Sequence, residues 1–311
     1  MATIVIALGG NAILQPGQAG TAAEQAENIR KTCVQIAGLI EAGHRVVVTH
    51  GNGPQVGNLL IQQEEASAVV PPMPMDVAGA MSQGMLGYWM QNQLDNLIRE
   101  RGITRPVVTL VTQVLVDRSD SAFQNPTKPV GPFYTQAKAA RYAEEKGWKM
   151  KEDAGRGWRR VVPSPNPIAI WEKDAIKTLV DAGAVVICSG GGGVPVYLDG
   201  EKLIGCEAVI DKDLAGQRLA ADVGADLFCI LTDVPQVCLR YKQPDQEMLS
   251  HVSLAQMREY AKEGHFKAGS MGPKVEAIMR FVESTGKWGV IACLDQALAA
   301  VEGKSGTIIH P

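Results

Sequence analysis

The sequence predicts an α/β fold in which a mainly parallel sheet carries helices on both faces and one inserted subdomain. Three observations lead to this prediction. Short β-branched, apolar runs alternate with longer segments of helical periodicity. Three of these runs end in clusters of glycine, as buried parallel strands do where a tight turn follows. A proline-rich stretch at about residues 117–167 interrupts the alternation.

In the first half of the chain, predicted strands and helices alternate as they do in βαβ units. Thr3–Leu8 predicts a strand because it is a short apolar run that stops at glycine. Arg45–Thr49 and Val107–Val111 have the same β-branched composition. Helical spacing of apolar residues between these runs predicts helices at about Ala22–Ala42, Gln55–Ala66 and Val77–Arg101.

The stretch at about 117–167 is too rich in proline for a regular crossover between strands. We interpret it as an inserted subdomain or lid rather than a linker, because it carries aromatic residues that could form a small core of their own. These residues are Phe133, Tyr134, Trp148 and Trp158.

The alternation resumes after the insertion. The same two patterns predict further elements up to the C-terminus. The predicted strands are Ala184–Cys188, Leu227–Leu231 and Val290–Leu294, and the predicted helices are Ile170–Ala182, Asp213–Val223, Ser253–Lys262 and Pro273–Glu283.

Composition excludes several classes of protein. The 311 residues carry a net charge of -3, so there is no overall basic character for nucleic acid or a membrane surface. No apolar run is long enough to span a membrane, and the N-terminus lacks the pattern of a secretory signal. The six cysteines have no C-x-x-C spacing, which favours reduced core thiols in a cytoplasmic protein over a disulfide or metal role.

The glycine clusters are the candidate binding turns. They are Gly9-Gly10-Asn11, Gly51-Asn52-Gly53 and the run of four glycines after Ser189. Each could simply permit a tight turn with positive φ. The first two follow consecutive predicted strands, however, and such strands are usually neighbours in a doubly wound sheet, which favours a shared site for anions. The role of the four-glycine turn stays open between lining a crevice and joining two lobes.

Two familiar phosphate signatures are absent. Gly303-Lys304-Ser305 has Leu298 where a P-loop needs its first glycine. The turn after His50 has one residue too many for G-x-G-x-x-G, and no acidic residue follows at the end of the second strand. A dinucleotide dehydrogenase is therefore disfavoured.

Three lysines occupy unusual local contexts. Lys274 follows Pro273 at a predicted helix start, where a cation opposes the helix dipole unless it shares a bound anion with the helix N–H groups; a solvated surface lysine is the alternative. Lys212 lies between Asp211 and Asp213, which could cap the next helix or orient lysines or Mg²⁺. Lys128 is held between prolines in the insertion.

The sequence shows no Ser/His/Asp pattern and no cluster with metal-ligand spacing. Anion-binding turns and lysines without an evident base suit phosphoryl transfer to an acceptor that is already an anionic oxygen.

Six segments of the chain form a recognisable set. They are Ala7–Ala12, His50–Gly57, Asn125–Pro129, Glu152–Arg159, Glu207–Asp213 and Gly264–Lys274. Through them the chain resembles the carbamate kinases of the amino acid kinase family over essentially its whole length. Asn125-Pro126-Thr127-Lys128-Pro129 and Gly155-Arg156-Gly157-Trp158-Arg159 are the most specific.

The resemblance implies a three-layer αβα sandwich and a homodimer. It implies an N-terminal lobe (1–205) that binds carbamate or carbamoyl phosphate and contains the protruding subdomain, and a C-terminal lobe (206–311) that binds the nucleotide. The implied reaction transfers a phosphoryl group reversibly between ATP and carbamate, giving ADP and carbamoyl phosphate, with Mg²⁺ held mainly through the phosphates. The family also suggests ATP formation in arginine breakdown.

The resemblance assigns roles to the candidate residues. Gly9, Gly10 and Asn11 would hold the phosphoryl group, and Gly51, Asn52 and Gly53 would hold carbamate. Lys128, Lys212 and Lys274 would neutralise phosphate charge, while Asp213 and, less surely, Asp211 position the lysines. The implied nucleotide neighbours are Thr232, Asp233, Tyr241, Met271 and Pro273. The chain departs from the family at Tyr241–Asp245, where many relatives have glycine after the aromatic residue and this chain has Lys242.

Two alternatives remain. Another kinase of the family could act on an amino acid carboxylate or a nucleoside monophosphate, which would need a roomier pocket beside Gly51 and Asn52. A non-catalytic nucleotide sensor is the second, although such a protein would be expected to lack the lysines.

Overall fold

The computed structural model describes residues 1–153, 155–267 and 269–311. Ala154, in the Glu152–Arg159 segment, and Ala268, in the Gly264–Lys274 segment, lie outside the described residues.

Strands and helices alternate along most of the chain. The strands are β1 Thr3–Leu8, β2 Arg45–His50, β3 Val107–Thr109, β4 Gln113–Val116, β5 Lys128–Tyr134, β6 Met150–Glu152, β7 Trp158–Val162, β8 Pro167–Ile170, β9 Val185–Ile187, β10 Val194–Asp199, β11 Lys202–Gly205, β12 Leu227–Thr232, β13 Cys238–Leu239, β14 Glu247–Met248, β15 His251–Ser253, β16 Gly289–Cys293 and β17 Thr307–His310. The α-helices are α1 Ala22–Glu41, α2 Gly53–Glu65, α3 Met75–Glu100, α4 Gln136–Lys146, α5 Lys173–Asp181, α6 Lys212–Asp222, α7 Leu254–Lys262, α8 Met271–Thr285 and α9 Ala297–Val301. Short 3₁₀ turns lie at Gly10–Ala12, Ser121–Phe123, Gly190–Gly192 and Leu294–Gln296.

The central sheet has eight strands in the order β15-β17-β16-β12-β1-β2-β9-β3. Its pairings are parallel except the one between β16 and β17. The chain leaves β1 for β2 on one side and later returns to β12 on the other side of β1. Ligands of open α/β sheets bind beyond the carboxyl ends of strands at such a switch point.

Helices cover both faces of this sheet, which confirms the three-layer αβα prediction. Strand β1 alternates between the layers: Ile4, Ile6 and Leu8 contribute to one apolar core, and Val5 and Ala7 to the other. Helices α1, α3 and α9 supply the first core, and α5, α6, α7 and α8 supply the second.

Local sequence explains where helix α1 begins and which face it buries. Thr21 and Glu24 form a capping box, in which each side chain accepts a hydrogen bond from the backbone of the other. Ile29, Ile36 and Ile40 recur at helical spacing and are buried against the sheet.

Two smaller sheets surround the insertion. Strands β4 and β8 belong to a four-stranded sheet in the order β11-β10-β4-β8, and β5, β7 and β6 form a three-stranded sheet beside α4. Tyr134, Trp148 and Trp158 pack in one apolar cluster with Ala139, Tyr142 and Met150. The prediction of a small aromatic core holds for three of its four residues, because Phe133 is exposed and lies against arginine side chains. The division into two lobes at residue 205 stays a prediction.

Several predicted boundaries were wrong. Ile170 is not helical; it ends β8 and pairs with Val114, and α5 begins only at Lys173. The third strand stops at Thr109 rather than Val111. The prediction missed β10, β11, β15 and β17, because strands of three to six residues carry too few residues for a clear period.

The six cysteines are free thiols, and Cys33, Cys188 and Cys229 are buried. Cys293, which the sequence placed inside a strand, ends β16 and is only partly buried. Within the described residues, no helix is both long enough and apolar enough to cross a membrane.

Candidate active site

The first two glycine turns meet at one end of the central sheet. Strands β1 and β2 are paired so that Leu8 lies beside His50, and the Gly51 N–H donates to the Leu8 carbonyl (3.2 Å). The two turns border a cleft of about 1170 Å³. Most of the predicted site residues line this cleft: Gly9, Gly10, Asn11, Gly51, Asn52, Gly53, Lys128, Asp211, Lys212, Asp213, Thr232, Asp233, Pro273 and Lys274.

Three α-helices begin at the cleft. Helix α2 begins at Gly53, α6 at Lys212 and α8 at Met271, and residues of each first turn line the wall. Helix N-termini present N–H groups and partial positive charge, which favours a bound anion.

Asp213 holds two of the three lysines. Lys212 Nζ donates to Asp213 Oδ1 (2.6 Å), and Lys274 Nζ donates to Asp213 Oδ2 (2.9 Å). The Asp213 side chain is 4% exposed, and both lysines are largely buried. The alternative of a solvated surface lysine is therefore wrong for Lys274. Its charge is fixed beside that of Lys212, and two adjacent cations suit an anion with several charged oxygens.

Ionisation of this group follows from burial and neighbouring charge. Burial alone would raise the pKa of Asp213, but the two ammonium groups hold it below its usual range. Burial, together with the charge of Lys274, lowers the pKa of Lys212 although Asp213 opposes the shift. Asp213 is thus ionised, and it stabilises the charged form of Lys212.

Asp211 combines the two roles that the sequence left open. Its Oδ1 accepts the Asp213 N–H (2.9 Å) and caps helix α6, while its Oδ2 accepts from Lys128 Nζ (3.1 Å). Lys128 is the first residue of β5 and its side chain is 37% exposed, so it extends from the insertion over the cleft. Capping and lysine positioning are compatible because a carboxylate has two oxygens.

The four-glycine turn lies directly against Asn52. Asn52 Nδ2 donates to Ser82 Oγ (2.7 Å), and Ser82 Oγ donates to the Gly79 carbonyl (2.7 Å). A Cβ on Gly191 would lie 2.1 Å from Asn52 Nδ2, and Gly191 has φ = 67°. Only glycine fits there without moving the amide. The four-glycine turn therefore supports the second binding turn.

A buried polar network closes the space behind this turn. The Thr112 N–H donates to Gln83 Oε1 (2.8 Å), and the Ser189 N–H donates to Thr112 Oγ1 (2.9 Å). Thr49 Oγ1 donates to the Ser189 carbonyl (2.9 Å). These bonds hold Ser189 at φ = 53°, a left-handed conformation that is strained for a non-glycine residue and often occurs at functional sites.

The first turn packs closely on β12. A Cβ on Gly9 would lie 3.3 Å from the Leu231 carbonyl, whereas a Cβ on Gly10 would face open space. Asn11 Nδ2 donates to Asp233 Oδ2 (3.0 Å), and Thr232 Oγ1 donates to Asp233 Oδ1 (3.0 Å). The phosphoryl turn predicted from the sequence is thus connected to two predicted nucleotide residues.

Two predicted nucleotide residues lie apart from this wall. Tyr241 is 49% exposed in the loop after β13, and Met271 packs against the apolar core at the start of α8. Their contact with a nucleotide stays a prediction.

Sequence reasoning missed several residues of the site. Ser82 carried no local signal, and Gly191 was recognisable only as part of the four-glycine turn whose role stayed open, since the contacts of both residues with Asn52 are made between distant segments. Arg156 and Arg159 line the cleft from the insertion, and they belong to the Gly-Arg-Gly-Trp-Arg motif, which could have indicated them. Cys293, Leu294 and Asp295 also line it.

The sequence left open whether Asp211 and Asp213 orient Mg²⁺, and it assigned no metal ligand. Across the residues that the structure describes, no three His, Cys, Asp or Glu side chains are grouped as a metal site. Asp211, Asp213 and Asp233 of the cleft already bond to lysine or amide groups.

Comparison with known proteins agrees with this geometry. The sequence profile described as the amino acid kinase family matches residues 2–293. A carbamate kinase from Pyrococcus furiosus is 56% identical over 310 residues, covering 99% of each chain. One from Thermococcus kodakarensis is 57% identical over 310 residues, covering 99% of this chain and 98% of the relative. The solved structure of carbamate kinase from Giardia lamblia bound to AMP-PNP has a TM-score of 0.95 and 47% identity, covering 99% of this chain and 98% of that one.

Proposed function

The chain belongs to the amino acid kinase family, and we propose that it catalyses reversible phosphoryl transfer between ATP and carbamate, giving ADP and carbamoyl phosphate. The observation that carries the proposal is the convergence of Lys128, Lys212 and Lys274 on a cleft bordered by two glycine turns and three helix N-termini. Full-length relatives named carbamate kinase, at 56% and 57% identity, support it.

The chemistry needs charge stabilisation more than proton transfer. In the ATP-forming direction an oxygen of the ADP β-phosphate attacks the phosphorus of carbamoyl phosphate, and the bond between phosphorus and the carbamoyl oxygen breaks. Carbamate leaves with the bonding electrons, so the attacking and leaving oxygens are both anionic. Fixed cations and backbone N–H groups lower the barrier by stabilising the charge of the transferred group.

Each part of the cleft has a role in this step. The Gly9-Gly10-Asn11 turn holds the transferred phosphoryl group, and the Gly51-Asn52-Gly53 turn holds carbamate. Lys212 and Lys274, fixed by Asp213, neutralise phosphate oxygens of the nucleotide and the transferred group. Lys128, positioned by Asp211, approaches from the subdomain. The three lysine–carboxylate contacts that support these roles are all of hydrogen-bond length, between 2.6 and 3.1 Å.

A small acceptor suits the second turn. The side of this turn away from the cleft is filled by buried side chains, including His50, Ser82 and Gln83. Gly191, which lines the cleft, lies so close to Asn52 that an added Cβ would collide with the amide. On this side an acceptor cannot extend without displacing the hydrogen-bonded wall, which favours a small acceptor over amino acid carboxylates and nucleoside monophosphates.

The nucleotide would lie in the part of the cleft that is lined by residues from the C-terminal third of the chain. Thr232, Asp233 and Pro273 line it there, and Tyr241 and Met271 are the further neighbours that we propose. Mg²⁺ would enter with the nucleotide and be held mainly by phosphate oxygens, because the nearby carboxylates already bond to lysine or amide groups. When bound, it would neutralise phosphate charge.

We also propose a homodimer. Val77, Met81 and Tyr88 are exposed on one face of α3, at positions i, i+4 and i+11. Val69 and Val70 extend the exposed apolar surface just before this helix. A second copy would cover these residues, and Met81→Lys should then shift the mass measured by light scattering from dimer to monomer. Reduced thiols and a nucleotide substrate are consistent with a cytoplasmic location, and a role in arginine breakdown stays a prediction.

The decisive experiment is a coupled assay for ATP formed from carbamoyl phosphate and ADP. The same enzyme is tested with ATP and acetylglutamate, and with ATP and UMP. Of these three reactions, we expect turnover only in the one with carbamoyl phosphate and ADP. Failure to form ATP from carbamoyl phosphate, or faster turnover with either other acceptor, would overturn the assignment.

A further inference from the structure

Glu64, near the C-terminal end of helix α2, binds three side chains of the inserted subdomain. Tyr134 Oη donates to Glu64 Oε2 (3.1 Å), and Tyr142 Oη donates to Glu64 Oε1. Lys138 Nζ lies 3.6 Å from Glu64 Oε1. Hydrogen bonds to a charged acceptor are stronger than neutral ones, so this carboxylate is a strong point of attachment.

The surroundings of Glu64 favour its charged form in this position. Its side chain is 15% exposed. Burial would raise its pKa, but the hydrogen bonds from Tyr142 and Tyr134 and the nearby lysines hold the pKa below its usual range. Lys138 also lies 5.2 Å from the centres of both tyrosine rings, so cation and rings pack together around the carboxylate.

This attachment lies at the far ends of two elements whose other ends form the site. Helix α2 begins at Gly53 in the carbamate turn and ends at Glu65, one residue after Glu64. Strand β5 begins at Lys128 and ends at Tyr134. The two elements pack directly, since a Cβ on Gly57 would lie 3.8 Å from the Gly131 Cα. Fixing Tyr134 to Glu64 therefore fixes the strand that carries Lys128 against the helix that begins at the carbamate turn.

Asp211 bonds to Lys128 at one end of β5, and Glu64 holds the other end of the strand. Two further attachments of the subdomain are weaker or lie at its base. Arg160 NH2 bonds to Glu207 Oε2 (2.6 Å), and the Arg160 side chain is buried, but the Glu207 side chain is 57% exposed, so solvent weakens this ion pair. Val130 and Val162 pack with Met75 in a small cluster that places the base of the subdomain but not its far end.

We propose that Glu64 is a positioning residue that holds the subdomain on α2 and thereby sets the distance of Lys128 from the transferred phosphoryl group. The inference rests on the proposed function for its kinetic consequence, although the attachment itself is independent of it. Loss of the Glu64 charge should let the subdomain move away from the cleft while the central sheet is unchanged.

The test compares Glu64→Gln with Glu65→Gln, a change of the same kind at the exposed neighbouring residue. Steady-state ATP formation and amide hydrogen exchange are measured for each variant and the wild type. We expect Glu64→Gln to lower kcat/KM by about tenfold or more, the scale of one lost charge-assisted hydrogen bond. Exchange should rise within residues 128–146 and stay unchanged in the central sheet. Glu65→Gln should match the wild type.

A double-mutant cycle with Lys128→Ala tests whether the effect passes through that lysine. If it does, Glu64→Gln causes little further loss of kcat/KM when Lys128 is already absent. The full loss in both backgrounds, or unchanged exchange in residues 128–146, would overturn the proposal. Tyr142→Phe repeats the test with a smaller perturbation should Glu64→Gln fold poorly. An inactive wild type would count against the proposed function, while the exchange result would still decide the attachment.

Discussion

Replacement of Asp213 by asparagine would remove the charge that Lys212 and Lys274 share. Asparagine keeps the shape of the side chain, so the buried wall of the cleft stays filled. Its amide presents one oxygen and one NH₂ group, and the NH₂ group cannot accept from a lysine. The variant can therefore keep only one of the two hydrogen bonds, which measure 2.6 Å and 2.9 Å in the wild type, and that bond is weakened.

The expected loss of activity follows from these hydrogen bonds. A hydrogen bond to a charged group contributes about 1.5–3 kcal/mol. Removing one such bond and weakening the other takes away about 2–4 kcal/mol of transition-state stabilisation, which is a fall in kcat of about 30-fold to 1000-fold. The effect should fall mainly on kcat, because the lysines act most strongly on the charge that develops during transfer.

The pH dependence gives a second readout with a defined sign. Burial and the charge of Lys274 lower the pKa of Lys212, and Asp213 opposes this shift. Without the Asp213 charge the pKa of Lys212 falls further, so the lysine loses its proton at a lower pH. The alkaline fall in kcat should therefore begin at lower pH in Asp213→Asn than in the wild type.

A matched control lies on the same helix. Asp222 of α6 is also buried and pairs with Arg218, but it lies outside the cleft. Asp222→Asn should reduce thermal stability and leave both kcat and the alkaline limb unchanged. A kcat of Asp213→Asn within about threefold of the wild type would refute the role given to Asp213. An alkaline fall in kcat at the same pH as in the wild type would refute it as well.

Three further changes test other parts of the site. Lys128→Ala should raise the barrier by about 2.7–4 kcal/mol, the scale of a lost electrostatic stabiliser, with an unchanged melting temperature; wild-type kinetics would remove this lysine from the site. Gly191→Ala should raise KM for carbamoyl phosphate because its Cβ displaces Asn52, whereas Gly183→Ala, equally strained at φ = 88° but facing open space, should change stability alone. Burial lowers the pKa of His50 from 6.5 to about 4 in the folded protein. As pH falls from 6.5 to about 4, the imidazole is therefore protonated in the unfolded chain but not in the folded one, and about 3 kcal/mol of folding stability is lost. The melting temperature should fall less over this pH range in His50→Gln than in the wild type, and equal falls would contradict the assignment of this pH dependence to His50.

The meeting of the first two turns could be predicted from the sequence because it follows from strand order. Buried runs that end in glycine are recognisable alone, and consecutive βα units are usually neighbours. The pairing of Leu8 with His50 is the structural form of that prediction. The Asp211-Lys212-Asp213 segment was recognisable for a similar reason, since all three residues lie in one helix turn.

The roles of distant residues could not be predicted in this way. Gly191 matters because of its contact with Asn52, which comes from another strand end, and Ser82 matters because it holds the same amide. The four-glycine run indicated a turn, but glycine has no side chain whose chemistry would identify its partner. The short strands were missed because three to six residues do not clearly distinguish a period of 2 from one of 3.6.

The three lysines also differ in how firmly the fold holds them, and this difference has a consequence for catalysis. Lys212 and Lys274 belong to helices that pack on the central sheet, and one buried carboxylate fixes both. Lys128 belongs to the inserted subdomain and is the most exposed of the three. The position of Lys128 therefore depends on two contacts, its own bond to Asp211 and the bond of Tyr134 to Glu64 at the other end of β5. A change in either contact should alter the third positive charge of the cleft while Lys212 and Lys274 keep theirs, since both of those lysines are held by Asp213.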